Sequence, residues 1–302
     1  MIPFTDFGNL EVLVIITGFV CLAFYFADPC HLRKCSSNMI TQLYSYNGPN
    51  GPSSWKNLYT KSNGPQQSPI NISQFTNTVS ADCENNILAF SEEYNVTPKD
   101  MSIYNDGHSV TIYARWESGL RPEITGGPCS ERYEFLNARF RWGPNDEEGS
   151  EHTMECKAYA MELQAVHIKC GKHYETLSEA VEDDAVLIVS YFYEITSVIN
   201  PYLQPLIAAL PKIRHPCVCV CMEPIPLFFL MPSFISKYVS YVGSLTHPPC
   251  TEGVLWIIQT EPLGIASSQV AQFRRLCSFS GNLVMNRRPV QNINDRDIIF
   301  YD

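Results

Sequence analysis

From about residue 70 to the C-terminus, the chain consists of short segments in which apolar and polar residues alternate, separated by residues that favour turns. Alternation with a period of two sends successive side chains to opposite faces, which is typical of β-strands. The dipeptide Asp106-Gly107 between two of these segments predicts a hairpin. The sequence therefore predicts one predominantly β (α+β) domain, with strands at residues 103–104, 109–114, 133–142, 158–168 and 185–193.

Helical periodicity is scarce. The best candidates are residues 202–210 and 267–276, and Ser267 or Ser268 is expected to cap the second helix. An apolar loop at residues 224–232 (PIPLFFLMP) fits either the core or an exposed patch for a partner or a membrane surface.

Composition narrows the functional classes. Of the 302 residues, 45% are hydrophobic and 17% are charged, which supports a sizeable core and excludes a disordered chain. The formal net charge of −10 argues against a nucleic-acid partner, since such partners need a basic surface. No phosphate-binding loop and no dinucleotide-binding glycine motif occurs. We expect no nucleotide-dependent chemistry.

The N-terminus differs from the rest of the chain. Residues 12–27 form an uncharged, almost wholly apolar run, long enough for a signal peptide and close to the length of a membrane anchor. We assign residues 1–35 to this hydrophobic segment and its linker, and residues 36–302 to the domain. The alternative is a buried helix of the domain, although the run has no polar face. Membrane association or entry into the secretory pathway is the expectation.

The side of the membrane stays open at this stage. Arg33 and Lys34 after the run favour a cytoplasmic domain, whereas twelve cysteines suit an oxidising compartment with disulfides of unknown connectivity. Asn95, in Asn95-Val96-Thr97, lies in a polar stretch and could carry a glycan if the domain is luminal. Asn71 begins a similar triplet in an apolar segment and is not expected to be modified.

Eight short strings occur in a characteristic order. They are 50–52 (NGP) with Trp55, 67–72 (QSPINI), 105–108 (NDGH), 140–143 (FRWG), 149–153 (GSEHT), 162–167 (ELQAVH), 244–250 (SLTHPPC) and 288–291 (RPVQ). In this order and spacing they resemble α-class carbonic anhydrase over residues 42–302. The resemblance implies a single domain with a twisted, mostly antiparallel central sheet of about ten strands and a few short helices.

The same resemblance bears on the metal site. In the family, zinc is held by a His-x-His pair on one strand and a third histidine on the next strand. The matching positions here are Arg139, Arg141 and Gln164. Arginine stays protonated and has no lone pair to offer, and two cations repel a divalent metal. We therefore expect no zinc and no other cofactor, as in the acatalytic carbonic anhydrase-related proteins that the chain resembles.

Other family site residues are retained. By resemblance, Thr246 and Glu151 match the pair that orients the zinc-bound hydroxide, and His108 matches the proton shuttle. His247 stands where many members carry threonine. The matching cavity wall and solvent network comprise Tyr46, Val166, Val186, Tyr241, Leu245, His247 and Trp256.

Two readings of Arg139 and Arg141 remain open. They could pair internally with Glu151 and Glu162, because buried guanidinium groups normally contact carboxylates. They could instead bind a small anion such as a carboxylate, sulfate or bicarbonate.

Three functions follow from this sequence. The first is a non-catalytic binding or scaffold protein with a protein partner, and the second is a structural subunit of a membrane-associated assembly. The third is an enzyme, either carbonate dehydratase with a non-standard or relocated metal site or a weak esterase. An esterase needs a nucleophile held by a base, and no such pair is evident.

Overall fold

A computed structural model describes residues 44–73, 78–80, 87–117 and 121–302. The hydrophobic segment predicted at residues 1–35 lies outside the described residues. Within them, no helix is both long enough and apolar enough to cross a membrane.

Strands dominate the described chain, as the alternation predicts. They are β1 (Asn71–Ile72), β2 (Thr78–Ser80), β3 (Ala89–Phe90), β4 (Asp100–Asn105), β5 (Val110–Arg115), β6 (Glu123–Thr125), β7 (Tyr133–Trp142), β8 (Thr153–Met154), β9 (Met161–Lys169), β10 (Val186–Thr196), β11 (Val218–Met222), β12 (Tyr238–Ser244), β13 (Glu252–Ala266), β14 (Cys277–Ser278), β15 (Gly281–Asn282) and β16 (Ile298–Tyr301).

The helices are short. The α-helices are α1 (Pro52–Leu58), α2 (Leu177–Glu182), α3 (Gln204–Ala209) and α4 (Ser267–Phe273). The 3₁₀ helices are Gly48–Asn50, Thr60–Asn63, Glu92–Asn95, Pro201–Leu203, Leu210–Ile213 and Leu227–Phe229.

One large sheet organises the domain. Its strand order is β11-β4-β5-β7-β9-β10-β13-β12-β16-β2, and β6 joins β7 to β3 at one side. The pairs β10–β13 and β16–β2 are parallel, and the other neighbours along this path are antiparallel. The prediction of a mostly antiparallel sheet of about ten strands is therefore confirmed.

The central strands are buried on both faces. On β9, Leu163 and Ala165 join one buried apolar cluster, whereas Val166 and Ile168 join another. Because successive side chains point to opposite faces, the sheet separates two cores. This explains why β7, β9 and β10 contain so few exposed positions.

The predicted hairpin is confirmed. β4 and β5 are antiparallel neighbours, and Gly107 in the connecting turn has a φ of +85°, which favours glycine. The Asp106 carboxylate accepts hydrogen bonds from the backbone N–H groups of His108 and Ser109. This local bonding fixes the turn that presents His108.

The predicted helix cap is wrong. The N-cap of α4 is Ala266, and its backbone N–H donates to the Gln269 side chain at 3.1 Å. Ser267 is already helical. The Gln269 side chain, at the third helical position, accepts from the N-cap N–H, and no serine hydroxyl caps this helix.

Candidate functional site

β7 and β9 bring the three positions of interest together. Arg139 and Arg141 are two residues apart on β7 and share one face of the strand. In the antiparallel register, Arg139 lies opposite Gln164 and Arg141 lies opposite Glu162. All four side chains are buried.

Arg141 is held by several acceptors at once. Its Nε donates to Gln164 Oε1 at 3.1 Å and lies 3.1 Å from a Glu151 carboxylate oxygen. Its Nη1 donates to the Tyr46 hydroxyl at 2.7 Å, and its Nη2 donates to the Thr246 hydroxyl at 3.2 Å. Every nitrogen of this guanidinium therefore bonds inside the protein.

Glu151 is the counter-ion of Arg141. Its second carboxylate oxygen accepts from the backbone N–H of Arg288 at 2.9 Å, and Thr246 also hydrogen-bonds to this carboxylate. Burial raises the pKa of Glu151, and the positive charge of Arg141 opposes that rise. Thr246 and Glu151, the pair matched to hydroxide orientation, are thus both engaged by Arg141.

Glu162 is joined to Arg141 and Glu151 through the Gln164 side chain. Its oxygens accept from the backbone N–H groups of Glu151 and His152 and from the His152 ring, all within 2.9 Å. Gln164 and Ser190 donate to the same carboxylate. Burial by itself raises the pKa of Glu162, but His152 and these hydrogen bonds lower it to about 2. The ionised carboxylate of Glu162 therefore accepts hydrogen bonds at both of its oxygens.

The network continues through His152 to Tyr241. His152 Nδ1 lies 2.9 Å from a Glu162 carboxylate oxygen, and its Nε2 lies 2.6 Å from the Tyr241 hydroxyl. That hydroxyl lies 2.7 Å from Ser68 Oγ. His152 is fully buried in this chain of bonds and holds the loop before β8 against β12.

Arg139 contacts a neutral histidine. Its Nη1 donates to His247 Nε2 at 2.8 Å, and its Nε donates to Asn137 at 3.3 Å. Burial, then the charges of Arg139 and Arg141, hold the pKa of His247 well below its usual range. His247 therefore carries its proton on Nδ1, which donates to the Pro248 carbonyl at 3.1 Å.

His108 is covered by an aromatic ring that sequence reasoning missed. Tyr44 stacks on His108 with 4.0 Å between ring centroids and 13° between planes. Burial lowers the pKa of His108, with Asp106 opposing and Arg141 adding to the effect. Tyr44 lies two residues before Tyr46, which is the only sequence signal that could have marked it.

Asn286 is a second missed residue. Its side chain accepts from the Trp142 N–H and donates to the carbonyls of His108 and Phe140, and its own carbonyl accepts from Arg141. It ties β7 to the chain beside the string at residues 288–291, and that position was its available signal.

The residues matched to the cavity wall are buried, apart from His247, which is partly exposed. Val166, Val186, Tyr241, Leu245 and Trp256 pack in one apolar cluster, and Tyr46 packs with Trp55 and Cys250 in another. Their role as a cavity wall stays a prediction.

The loop at residues 224–232 divides between the two predicted roles. Leu227, Leu230 and Met231 are buried, whereas Phe228 and Phe229 are exposed. On the neighbouring strand β11, Cys221 takes part in a disulfide bond.

Comparison with known proteins identifies the family. A sequence profile of eukaryotic-type carbonic anhydrase matches residues 50–302. The chain belongs to the eukaryotic-type carbonic anhydrase family. It is 35% identical to carbonic anhydrase 1 of Monodelphis domestica over 262 residues, which cover 84% of this chain and 96% of the relative. It is 32% identical to carbonic anhydrase 1 of Mus musculus over 267 residues, covering 86% and 98%.

The residues present do not fit the zinc ion that this carbonic anhydrase family implies. Two of the three positions carry guanidinium groups, which cannot ligate a metal. The third, Gln164, has its oxygen bonded to Arg141 and its nitrogen bonded to Glu151 and Glu162. Across the described ranges, no group of three or more His, Cys, Asp or Glu residues could hold a metal ion.

Proposed function

We propose that this chain is a catalytically inactive carbonic anhydrase-related protein that acts as a non-catalytic binding or scaffold protein. One observation carries the proposal: the Arg141 guanidinium bonds Glu151, Gln164 and Thr246, the groups that match the family's metal surroundings. Without a metal, no bound water acquires a pKa near 7, and carbon dioxide meets no nucleophile.

The scaffold would work at a membrane or along the secretory pathway, with a protein partner or as a subunit of a membrane-associated assembly. The apolar run at residues 12–27 supports this location. The disulfide at Cys221 supports an oxidising compartment for the domain.

A small anion beside Arg139 or Arg141 is a second proposal. Arg141 already donates from Nε, Nη1 and Nη2 within the protein, so an anion would have to displace Glu151 or Thr246. Arg139 contacts the neutral side chains of Asn137 and His247. An anion added beside Arg139 would favour protonation of His247, so the two events should be coupled.

We expect purified full-length protein to contain clearly less than one zinc per chain. The physical reason is the replacement of all three ligands by Arg139, Arg141 and Gln164. Elemental analysis after removal of loosely bound metal measures this, and a stopped-flow assay should show no hydration of carbon dioxide above the uncatalysed rate.

The names of the relatives favour one alternative, carbonate dehydratase activity at a relocated metal. The same measurements decide it, because that activity requires a tightly bound metal. One zinc per chain together with measurable hydration would establish the alternative and overturn the inactive assignment.

We expect Asn95 to carry a glycan when the chain is made in cells with a secretory pathway. Asn95 is exposed at the end of a 3₁₀ helix, and Val96 is 51% exposed. Asn71 instead accepts hydrogen bonds from Thr153 and the Cys156 N–H. N95Q should abolish the mobility shift that a glycosidase removes, and N71Q should not. A chain with no shift at all would contradict a luminal domain.

A further inference from the structure

Two uncharged segments meet on the surface of this acidic domain. Residues 195–211 and 224–236 contain no Asp, Glu, Lys, Arg or His, although the chain as a whole has a net charge of −10. The rings of Tyr202 and Phe229 stack across the junction with 4.7 Å between centroids, and Phe228 packs edge-on against Phe229. We call the exposed residues of this junction the apolar patch; they are Val198, Ile199, Tyr202, Phe228 and Phe229.

The apolar patch is held rigidly. Phe228 and Phe229 are exposed between buried Leu227 and Leu230, and the Leu230 carbonyl accepts from the Tyr193 hydroxyl at 2.9 Å. On the other segment, the Asn200 side chain donates to the Gly264 carbonyl at 2.8 Å. Val198 is 71% exposed and Tyr202 is 52% exposed. These apolar side chains are therefore presented to solvent by anchored backbone.

The length of chain between the apolar run and the described domain allows this patch to reach a bilayer that holds the run. Residue 27 ends the run and Tyr44 begins the described chain. The connection between them can span at most about 60 Å. A domain of this size has a radius of gyration of about 18 Å, so every face of it stays within reach of a bilayer that holds the run.

The chemistry of the patch favours lipid. Arginine, a frequent anchor of protein interfaces, is absent from both segments, and the charged residues nearest in sequence lie just outside their ends, at Glu194, Lys212, Glu223 and Lys237. Aromatic rings with one polar tip, such as Tyr202, favour the boundary between headgroups and acyl chains. The acidic domain would be repelled by anionic headgroups, which favours a zwitterionic surface.

We infer that the apolar patch docks the domain on a phosphatidylcholine-like membrane surface, with Phe228 and Phe229 entering the headgroup–acyl boundary. This inference rests on the membrane association proposed above. Docking would fix which faces of the domain remain open to a partner, because the tether alone leaves orientation free.

Tryptophan fluorescence offers a direct test with the full-length chain. The four native tryptophans, Trp55, Trp116, Trp142 and Trp256, are all buried, so brominated acyl chains should not quench them. F229W places one additional tryptophan in the patch. On phosphatidylcholine vesicles with brominated acyl chains, most of the fluorescence contributed by the new tryptophan at position 229 should be quenched. V242W is the matched control at an exposed apolar position on β12, and it should lose none.

Hydrogen exchange gives a second readout that needs no tryptophan variant. On vesicles, the backbone amides of residues 224–232 and 196–204 should exchange more slowly in the wild-type chain than in F228S/F229S. A chain that floats with vesicles but shows neither quenching nor protection overturns docking and leaves membrane association intact. A chain that does not float overturns both. Protection that grows with protein concentration and not with lipid would assign the patch to a second copy, which also overturns docking.

Discussion

R141M is expected to lower the free energy of unfolding by about 3–5 kcal/mol, because it leaves a buried carboxylate without its cation. Arg141 is 1% exposed and its partner Glu151 is also 1% exposed. Methionine fills similar volume, so the loss reports the charge and its hydrogen bonds more than a cavity. Chemical denaturation of both proteins at pH 7.5 measures the difference.

R115M is the matched control for this effect. Arg115 pairs with Asp100 on the surface, with 57% of its side chain exposed, and such pairs contribute less than about 1 kcal/mol. If R141M and R115M lost the same small amount, the buried network around Arg141 would have no structural importance. The proposal that Arg141 takes the place of the family's metal would then lose its main support.

The pH dependence of R141M has a definite sign. Burial raises the folded-state pKa of Glu151, and removing Arg141 raises it further. The folded state then binds a proton that the unfolded state releases, so stability falls as pH rises through that pKa. The deficit of R141M relative to wild type should therefore be larger at pH 8 than at pH 5.

Glu162 gives the opposite trend in both proteins. Its folded-state pKa is about 2, below the usual value of 4.5, so its contribution is present above pH 4.5 and is lost as pH falls toward 2. A deficit of R141M that grew on acidification would contradict the assignment of Glu151 as the affected group.

The triple variant R139H/R141H/Q164H is expected to gain zinc binding and measurable hydration of carbon dioxide. Positions 139 and 164 are register partners and 141 lies on the same face, so three imidazoles would converge from two strands. Glu151 and Thr246 stand beside them, where they are now bonded to Arg141. We expect a less stable apoprotein that zinc stabilises by mass action.

Controls separate metal recruitment from the loss of two buried cations. R139A/R141A/Q164A removes the same charges without adding ligands, and it should not respond to zinc. Each single histidine variant should also fail, since an arginine or an incomplete ligand set remains. Thermal melts with and without zinc, followed by stopped-flow hydration, decide the outcome. A folded triple variant that ignores zinc would show that these positions no longer converge in the family geometry.

Local sequence determined much of the fold. The strand predicted at residues 133–142 has those bounds in the structure, because its alternation matches a strand between two cores. The Asp106-Gly107 turn was equally readable, since Asp106 bonds the N–H groups two and three residues on and Gly107 takes a positive φ. The segment predicted as a helix at residues 202–210 is helical throughout, but only Gln204–Ala209 is α-helix, between the 3₁₀ helices Pro201–Leu203 and Leu210–Ile213. Prolines at 201, 205 and 211 remove N–H donors from this segment.

The residue types at the site could also be read from the sequence, and they predict that no metal is ligated at these positions. Arginine cannot bind a cation in any conformation, so Arg139 and Arg141 needed no coordinates to exclude ligation there. The resemblance over residues 42–302 located them, and the family profile covers nearly the same range.

Only the tertiary structure decided how the charges pair. Glu162 lies opposite Arg141 in the strand register, yet Arg141 bonds Glu151. The reason is that Glu162 is already filled by donors from the Glu151–His152 backbone, the His152 ring, Gln164 and Ser190. Those donors come from separate parts of the chain, and their convergence depends on how the loop before β8 packs on the sheet. The exposure of Phe228 and Phe229 beside Tyr202 has the same origin, because two distant segments must meet before their apolar side chains form one surface.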